Sequence, residues 1–261
     1  MKMFFKSHYP KRIVTKRLTA PDGNSVTHRQ ELLAGFNQTA LENGRVILIG
    51  GGGIGSEVGE GLVRKGVGYL GVFDHDMIEL TNLNRQMFFK RDVHKNKAKC
   101  LVVNLAQHST CGTILEGYDL SFQDSLALGL DMRASVIVCG VDNAETRVAV
   151  SKYCLESKTS AVFIAVDYVA ESGYVALQKP GEACFGCILP KSLHGHKAPC
   201  FTPAVKDILK SVGGLALYAV DSVLMDRKRN WNYRRIHLAG FMPDDSRMVE
   251  RNPDCTLCKD D

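Results

Sequence analysis

Five short runs dominated by apolar residues, at 45–49, 69–73, 113–118, 135–139 and 161–166, alternate with stretches near 54–65, 97–108, 122–129 and 143–157 that carry apolar residues at helical spacing. Runs of this length fit strands buried on both faces, and their alternation with helices predicts a mostly parallel sheet covered on both sides. The expected fold class is α/β, a doubly wound sheet of Rossmann type. From Ser172 the pattern changes: 173–177 reads as another strand, followed by a Pro-, Gly- and Cys-rich stretch of weak periodicity to about Pro203. That stretch is expected to be a long crossing loop, and loops of this length usually serve function. A helix over about 204–225 and a strand over about 233–239 follow. The expected division is a basic extension over 1–26, a nucleotide-binding core over 27–180, and a crossing loop, helix and C-terminal annex over 181–261.

The first strand runs into Gly50-Gly51-Gly52-Gly53-Ile54-Gly55 and then into a helix. Glycine lets backbone approach a phosphate, and the amides opening the next helix point at the anion. Gly50-x-Gly52-x-x-Gly55 matches a dinucleotide fingerprint, and Asp74 ends the second strand at the ~20-residue offset of a ribose-binding acid. An NAD-binding oxidoreductase is therefore one expectation, and a non-catalytic nucleotide-binding protein is another. Between the second strand and the next helix lie Asp74-His75-Asp76, Asn82-Leu83-Asn84-Arg85-Gln86 and Lys97, loop positions at the carboxyl edge where open α/β sheets bind ligands. An oxidoreductase has no evident use for Arg85 and Lys97 near the phosphates. Transfer at a nucleotide phosphorus does, since charge building on the phosphate oxygens must be neutralised in place. Asp142 ends the fourth strand on the same edge, where it could hold magnesium or cap the helix beginning near Asn143.

Charge and cysteine usage narrow the classes. A formal charge of +5, from 33 basic and 28 acidic residues, is too balanced to argue for nucleic acid. Lys2, Lys6, Lys11, Arg12, Lys16 and Arg17 concentrate part of the excess at the N-terminus, read as a solvated tail or small hairpin. No apolar run approaches the ~20 residues of a membrane span, so a cytoplasmic protein without a membrane partner is expected. Of nine cysteines, four form Cys184-x-x-Cys187 and Cys255-x-x-Cys258. Four thiolates close a tetrahedral zinc site with no open position, so a structural zinc tying the crossing loop to the C-terminus is expected in preference to a redox dithiol. Cys100, Cys111, Cys139 and Cys154 read as ordinary buried thiols.

Taken in order, Gly50-x-Gly52-Gly53-x-Gly55, Asp74-x-Asp76, Asn82-Leu83-Asn84-Arg85-Gln86, Lys97, Asp142-Asn143 and the two cysteine pairs resemble the ubiquitin-activating-enzyme-like adenylating proteins of the ThiF, MoeB and HesA type, over roughly Thr27 to Cys258. The resemblance implies ATP with magnesium: Asp74 and Asp76 at the ribose and metal region, Asn82 at the nucleotide, Arg85 and Lys97 at the phosphates, and Asp142 on the magnesium. His28-Arg29-Gln30 followed by Leu32-Leu33-x-Gly35-Phe36 is similar to the family's N-terminal helix, implying a homodimer in which Arg29 reaches the neighbouring subunit's ATP. The implied reaction is adenylation of the C-terminal carboxylate of a ubiquitin-like or sulfur-carrier protein, a small β-grasp partner ending in Gly-Gly, whose glycines leave room for its backbone in a narrow channel. Cys200 lies where many relatives keep a cysteine that accepts the activated carrier, although it stands closer to Pro203 than the usual pattern has it. Adenylation of a peptide or small carboxylate is the alternative within the fold. A sulfur donor or conjugating enzyme is expected on separate chains.

Overall fold

A computed structural model describes residues 10–19, 25–194 and 204–259. In chain order the elements are β1 (Lys11–Val14), α1 (His28–Glu31), α2 (Gln38–Glu42), β2 (Arg45–Ile49), α3 (Gly53–Lys65), β3 (Tyr69–Phe73), α4 (Lys97–Ala106), β4 (Ile114–Tyr118), α5 (Phe122–Ala127), β5 (Val136–Cys139), α6 (Ala144–Glu156), β6 (Ser160–Val166), β7 (Ser172–Gln178), α7 (Phe185–Ile188), α8 (Lys206–Leu224), β8 (Tyr233–His237) and β9 (Asp245–Arg247). Short 3₁₀ turns at Leu80–Asn82, Lys90–Asp92 and Pro190–His194 complete it.

The strands form one sheet in the order β1-β4-β3-β2-β5-β6-β7-β8-β9. Its centre, β4-β3-β2-β5-β6, is parallel, and β1, β7, β8 and β9 add antiparallel to the two sides. Alternate strand residues feed two cores. Val46, Leu48, Leu70, Val72, Val136 and Val138 meet α3, α4 and α8 on one face. Ile47, Ile49, Phe73, Ile137 and Phe163 meet α5, α6 and α7 on the other. The order reverses between β2 and β5, so a crevice opens at their carboxyl ends.

The helices and central strands fall where the apolar pattern puts them. The basic N-terminal segment does not stand apart as a solvated tail over residues 11–14: Lys11–Val14 pairs with β4, Arg12 reaches Glu116 at 3.5 Å, and Arg17 lies 2.5 Å from Glu42. An edge strand tolerates, and is protected by, such charges. The crossing stretch also carries α7 and a 3₁₀ turn before residue 195. No helix among the described residues is long and apolar enough to cross a membrane.

Candidate functional site

The crevice is built on the glycine turn. Gly50 has φ +95°, and a Cβ there would sit 3.1 Å from the Gly140 carbonyl, so the ends of β2 and β5 meet backbone to backbone. A Cβ on Gly55 would lie 2.0 Å from the Gly50 oxygen, which holds α3 close over the turn. Gly52 opens α3 without a side-chain cap, leaving the first amides of the helix facing the crevice beside Gly53.

Asp74, after β3, accepts from the Gly51 N–H at 2.8 Å and from the Asp76 N–H at 2.9 Å, which ties the acidic loop to the turn. Desolvation raises its carboxyl above the ordinary range, with nearby Lys97 opposing. Asp76 is exposed and pairs with Lys97 at 2.8 Å. Lys97 is the first residue of α4, whose cap Asn96 accepts from Lys99 N–H and donates to the Asp74 carbonyl at 2.8 Å and to Asp119 at 2.9 Å. The Lys97 ammonium is thereby fixed beside the two acids.

The loop over 79–87 brings up Arg85. The buried Asn82 side chain accepts from the Glu79 N–H at 3.0 Å and shapes the 3₁₀ turn, so its first role is local. The Arg85 guanidinium donates to the Thr81 carbonyl at 2.8 Å and to Asn84 Oδ1 at 2.9 Å, an orientation set within the loop. Gln86 is buried with its amide nitrogen nearest a would-be Cβ on Gly52, at 3.9 Å, and its Oε1 has no partner among the described residues. Gln86, with an unpartnered buried acceptor beside the glycine turn, is a residue to which the sequence assigned no role of its own.

Asp142 follows β5 across the crevice. Asn143, not Asp142, caps α6: its Oδ1 accepts from Thr146 N–H at 2.8 Å. Asp142 is exposed, with no hydrogen bond or ion pair among the described residues, and the capping alternative for it falls away. A free carboxylate at the carboxyl end of a central parallel strand is a fit donor for a hard divalent cation.

Arg29 is not brought to this crevice. Its helix α1 docks at the far end of α3, where the Gln30 amide donates to the Lys65 carbonyl at 2.8 Å. Cys200 lies outside the described residues. The two cysteine pairs do converge: Cys184 and Cys255 Sγ are 3.5 Å apart, Cys187 and Cys258 3.5 Å, and Cys184 and Cys187 3.7 Å. Four sulfurs on a tetrahedral zinc with bonds of ~2.3 Å stand ~3.8 Å apart, so the cluster fits the ion. The Asn252 N–H donates to Cys187 Sγ at 3.3 Å, the kind of outer contact that steadies a metal thiolate.

The ThiF family profile matches residues 27–257. Ubiquitin-like modifier-activating enzyme 5 of Dictyostelium discoideum is 34% identical over 167 residues, 59% of this chain and 44% of that protein. The enzyme of the same name from Arabidopsis thaliana is 33% identical over 175 residues, 59% of this chain and 39% of that protein. The chain thus spans less than half the length of these relatives. Among solved structures, E. coli MccB with MccA-N7isoASN superposes with a TM-score of 0.73 at 24% identity, covering 85% of this chain and 68% of that one. PaaA does so with 0.71 at 15% identity, covering 91% and 76%. These two likenesses bear on the fold.

Proposed function

Because the chain belongs to the ThiF family, we propose that it adenylates the C-terminal carboxylate of a small ubiquitin-like or sulfur-carrier protein with ATP, working as a homodimer. The observation that carries this reading is the uncapped glycine turn at the switch point of the sheet, bonded to Asp74, with the Asp76–Lys97 pair on the same loop and the exposed, unpartnered Asp142 following the neighbouring β5. The similarity to ubiquitin-like modifier-activating enzymes favours a ubiquitin-like carrier.

In this reading the carrier's carboxylate oxygen bonds to the α-phosphorus of ATP, the bridging oxygen to the β-phosphorus leaves with its electron pair as pyrophosphate, and an acyl-adenylate remains. Two anions must meet, which is costly without compensating charge. Arg85 and Lys97 supply fixed positive charge to the phosphate oxygens, and Arg29 of a second copy completes the set. Asp142 would hold the magnesium, which would supply further positive charge to the phosphates. Asp74, already ordered by Gly51 and Asp76, keeps lone pairs for the ribose hydroxyls. No side chain need act as nucleophile in this step. A zinc held by Cys184, Cys187, Cys255 and Cys258 would be structural: it would pin the start of the crossing stretch to the C-terminus, in the core on the α6 and α7 side of the sheet.

The test is pyrophosphate exchange into ATP, measured with purified β-grasp proteins ending in Gly-Gly and with the same proteins lacking the final glycine. Exchange that needs magnesium and the intact tail is the expected result. Stabilisation of the protein by NAD and not by magnesium-ATP would overturn the reading in favour of an oxidoreductase.

A further inference from the structure

Lys206 opens α8, and the contacts of its ammonium are set by two elements distant in sequence. The Nζ pairs with the carboxylate of Glu57, a residue of α3 that is only 8% exposed, and donates to the Arg85 carbonyl at 3.3 Å. The start of α8 is pressed onto the same part of α3: a Cβ on Gly53 would lie 2.7 Å from Leu209, and one on Gly213 would lie 2.9 Å from the Glu57 Cβ. Next to Glu57, Ser56 accepts from the Met87 N–H at 3.3 Å and donates to the Gly52 carbonyl at 2.7 Å. The arginine loop is therefore tied to α3 at Arg85 and again two residues on, one tie passing through a charge on α8.

We propose that Lys206 is a positioning residue for Arg85: held by Glu57, it fixes the backbone from which the guanidinium is presented to the nucleotide phosphates. This rests on the reading that Arg85 binds phosphate. The internal bonds of Arg85 to Thr81 and Asn84 set its orientation within the loop but not the loop's place on the protein. The Ser56 bond to Met87 holds the loop two residues further on, and the charged donor on the Arg85 carbonyl holds it at Arg85 itself. Misplacing such a group by about 1 Å is enough to lose much of its effect. Lys206 has 41% of its side chain exposed, so packing alone does not account for its position. An ordinary stabilising ion pair would have no reason to include the Arg85 carbonyl.

The test compares dissociation constants for magnesium-ATP and for adenosine, which carries no phosphate, by calorimetry on the full chain. Lys206→Met should weaken ATP at least about tenfold, the scale of a hydrogen bond to a charged group, and leave adenosine within about twofold. Because Lys206→Met strands a buried carboxylate, the pair Glu57→Gln with Lys206→Met is measured as well; it removes both charges and should show the same selective loss. In an Arg85→Ala background, Lys206→Met should change ATP affinity by less than about twofold, since its effect passes through a side chain already gone. Equal losses for ATP and adenosine, or losses that add to that of Arg85→Ala, would overturn the proposal. So would ATP binding that Arg85→Ala weakens and Lys206→Met leaves intact. Failure of the unaltered chain to bind magnesium-ATP at all would instead remove the adenylation reading on which this rests.

Discussion

The adjacent pair Asp142 and Asn143 sets a helix cap beside a proposed cation ligand within one dipeptide. Asn143 caps the 13-residue α6 by a 2.8 Å bond to Thr146 N–H, and Asp142 is exposed with no partner among the described residues. Replacing a capping Asn by Ala costs about 1 kcal/mol, which in a chain of this size lowers the melting temperature by about 2–4 °C. Asp142→Asn removes one exposed charge outside the cap, where substitutions usually stay within about 0.5 kcal/mol, so its melting temperature should stay within about 2 °C of the parent. Activity should divide the other way. Loss of Asp142 as a cation ligand should reduce carrier-dependent pyrophosphate exchange by at least ~10²-fold, the scale set by removing one oxyanion donor, and weaken magnesium-ATP far more than metal-free ATP. Asn143→Ala should bind and exchange near normally at a temperature where it is folded. Both are read by thermal scanning without nucleotide and by exchange at a range of magnesium concentrations. If Asp142→Asn destabilises the free protein as much as Asn143→Ala and leaves the magnesium dependence unchanged, the carboxylate is structural and the reasoning from its missing partner is wrong.

One zinc per chain should be found by elemental analysis, and Cys184→Ala or Cys255→Ala should lose it together with several degrees of melting temperature; a stable, metal-free, fully active preparation refutes a structural zinc. Asp74 has a raised pKa, so on acidification it takes a proton at higher pH than an ordinary carboxylate; magnesium-ATP affinity should begin to fall above the usual carboxylate range, and Asp74→Asn should flatten that part of the profile measured by calorimetry. The same shift runs against the folded state at neutral pH, because a folded-state pKa above the unfolded one makes Asp74's contribution more favourable as pH falls through that window. Mixing Arg29→Ala with Arg85→Ala chains should restore exchange up to one working site per heterodimer; no recovery after verified subunit exchange places Arg29 outside catalysis in trans. Cys200→Ala should keep pyrophosphate exchange and lose any reducing-agent-sensitive adduct with the carrier by mass spectrometry, and an adduct that persists excludes Cys200 as its acceptor.

The central strands were legible because burial on both faces forces continuous apolar runs such as Val46–Ile49 and Val136–Cys139. The edges were not. Lys11-Arg12-Ile13-Val14 and Asp245-Ser246-Arg247 have half or more of their residues charged or polar, as an edge strand needs, and in sequence this is indistinguishable from loop. Among the site residues, the glycines, Asp74 and Lys97 could be read because local spacing along one β-loop-α unit fixes their place. Lys206 could not: its partner Arg85 is 121 residues away, and only the packing of α8 on α3 brings the two together. Asp142 and Asn143 show a different limit, since both residue types cap helices and the choice between them is made by the backbone conformation where α6 begins. The extended conformation of Asn143, at φ −114° and ψ 142°, puts it at the cap.

Arg29 is where local reading and the fold pull apart most. In sequence it is an exposed helix charge, and the structure places it, exposed, on the four-residue α1. The position of that helix adds what sequence cannot. Gln30 donates to the Lys65 carbonyl at the carboxyl end of α3 and to Gln38 of α2, which itself donates to that carbonyl, whereas the glycine turn lies at the amino end of α3. Thirteen helical residues at about 1.5 Å each separate the two by about 20 Å, more than an arginine side chain spans. Within one chain, then, Arg29 has no path to the glycine turn, and a role in the proposed reaction requires a second copy that sets its α1 against this crevice. Exposed Leu32 and Leu33, immediately after α1, give that segment an apolar surface for such a neighbour to cover. The geometry therefore makes Arg29 either a cation supplied between subunits or a bystander, and leaves no intermediate role within its own chain.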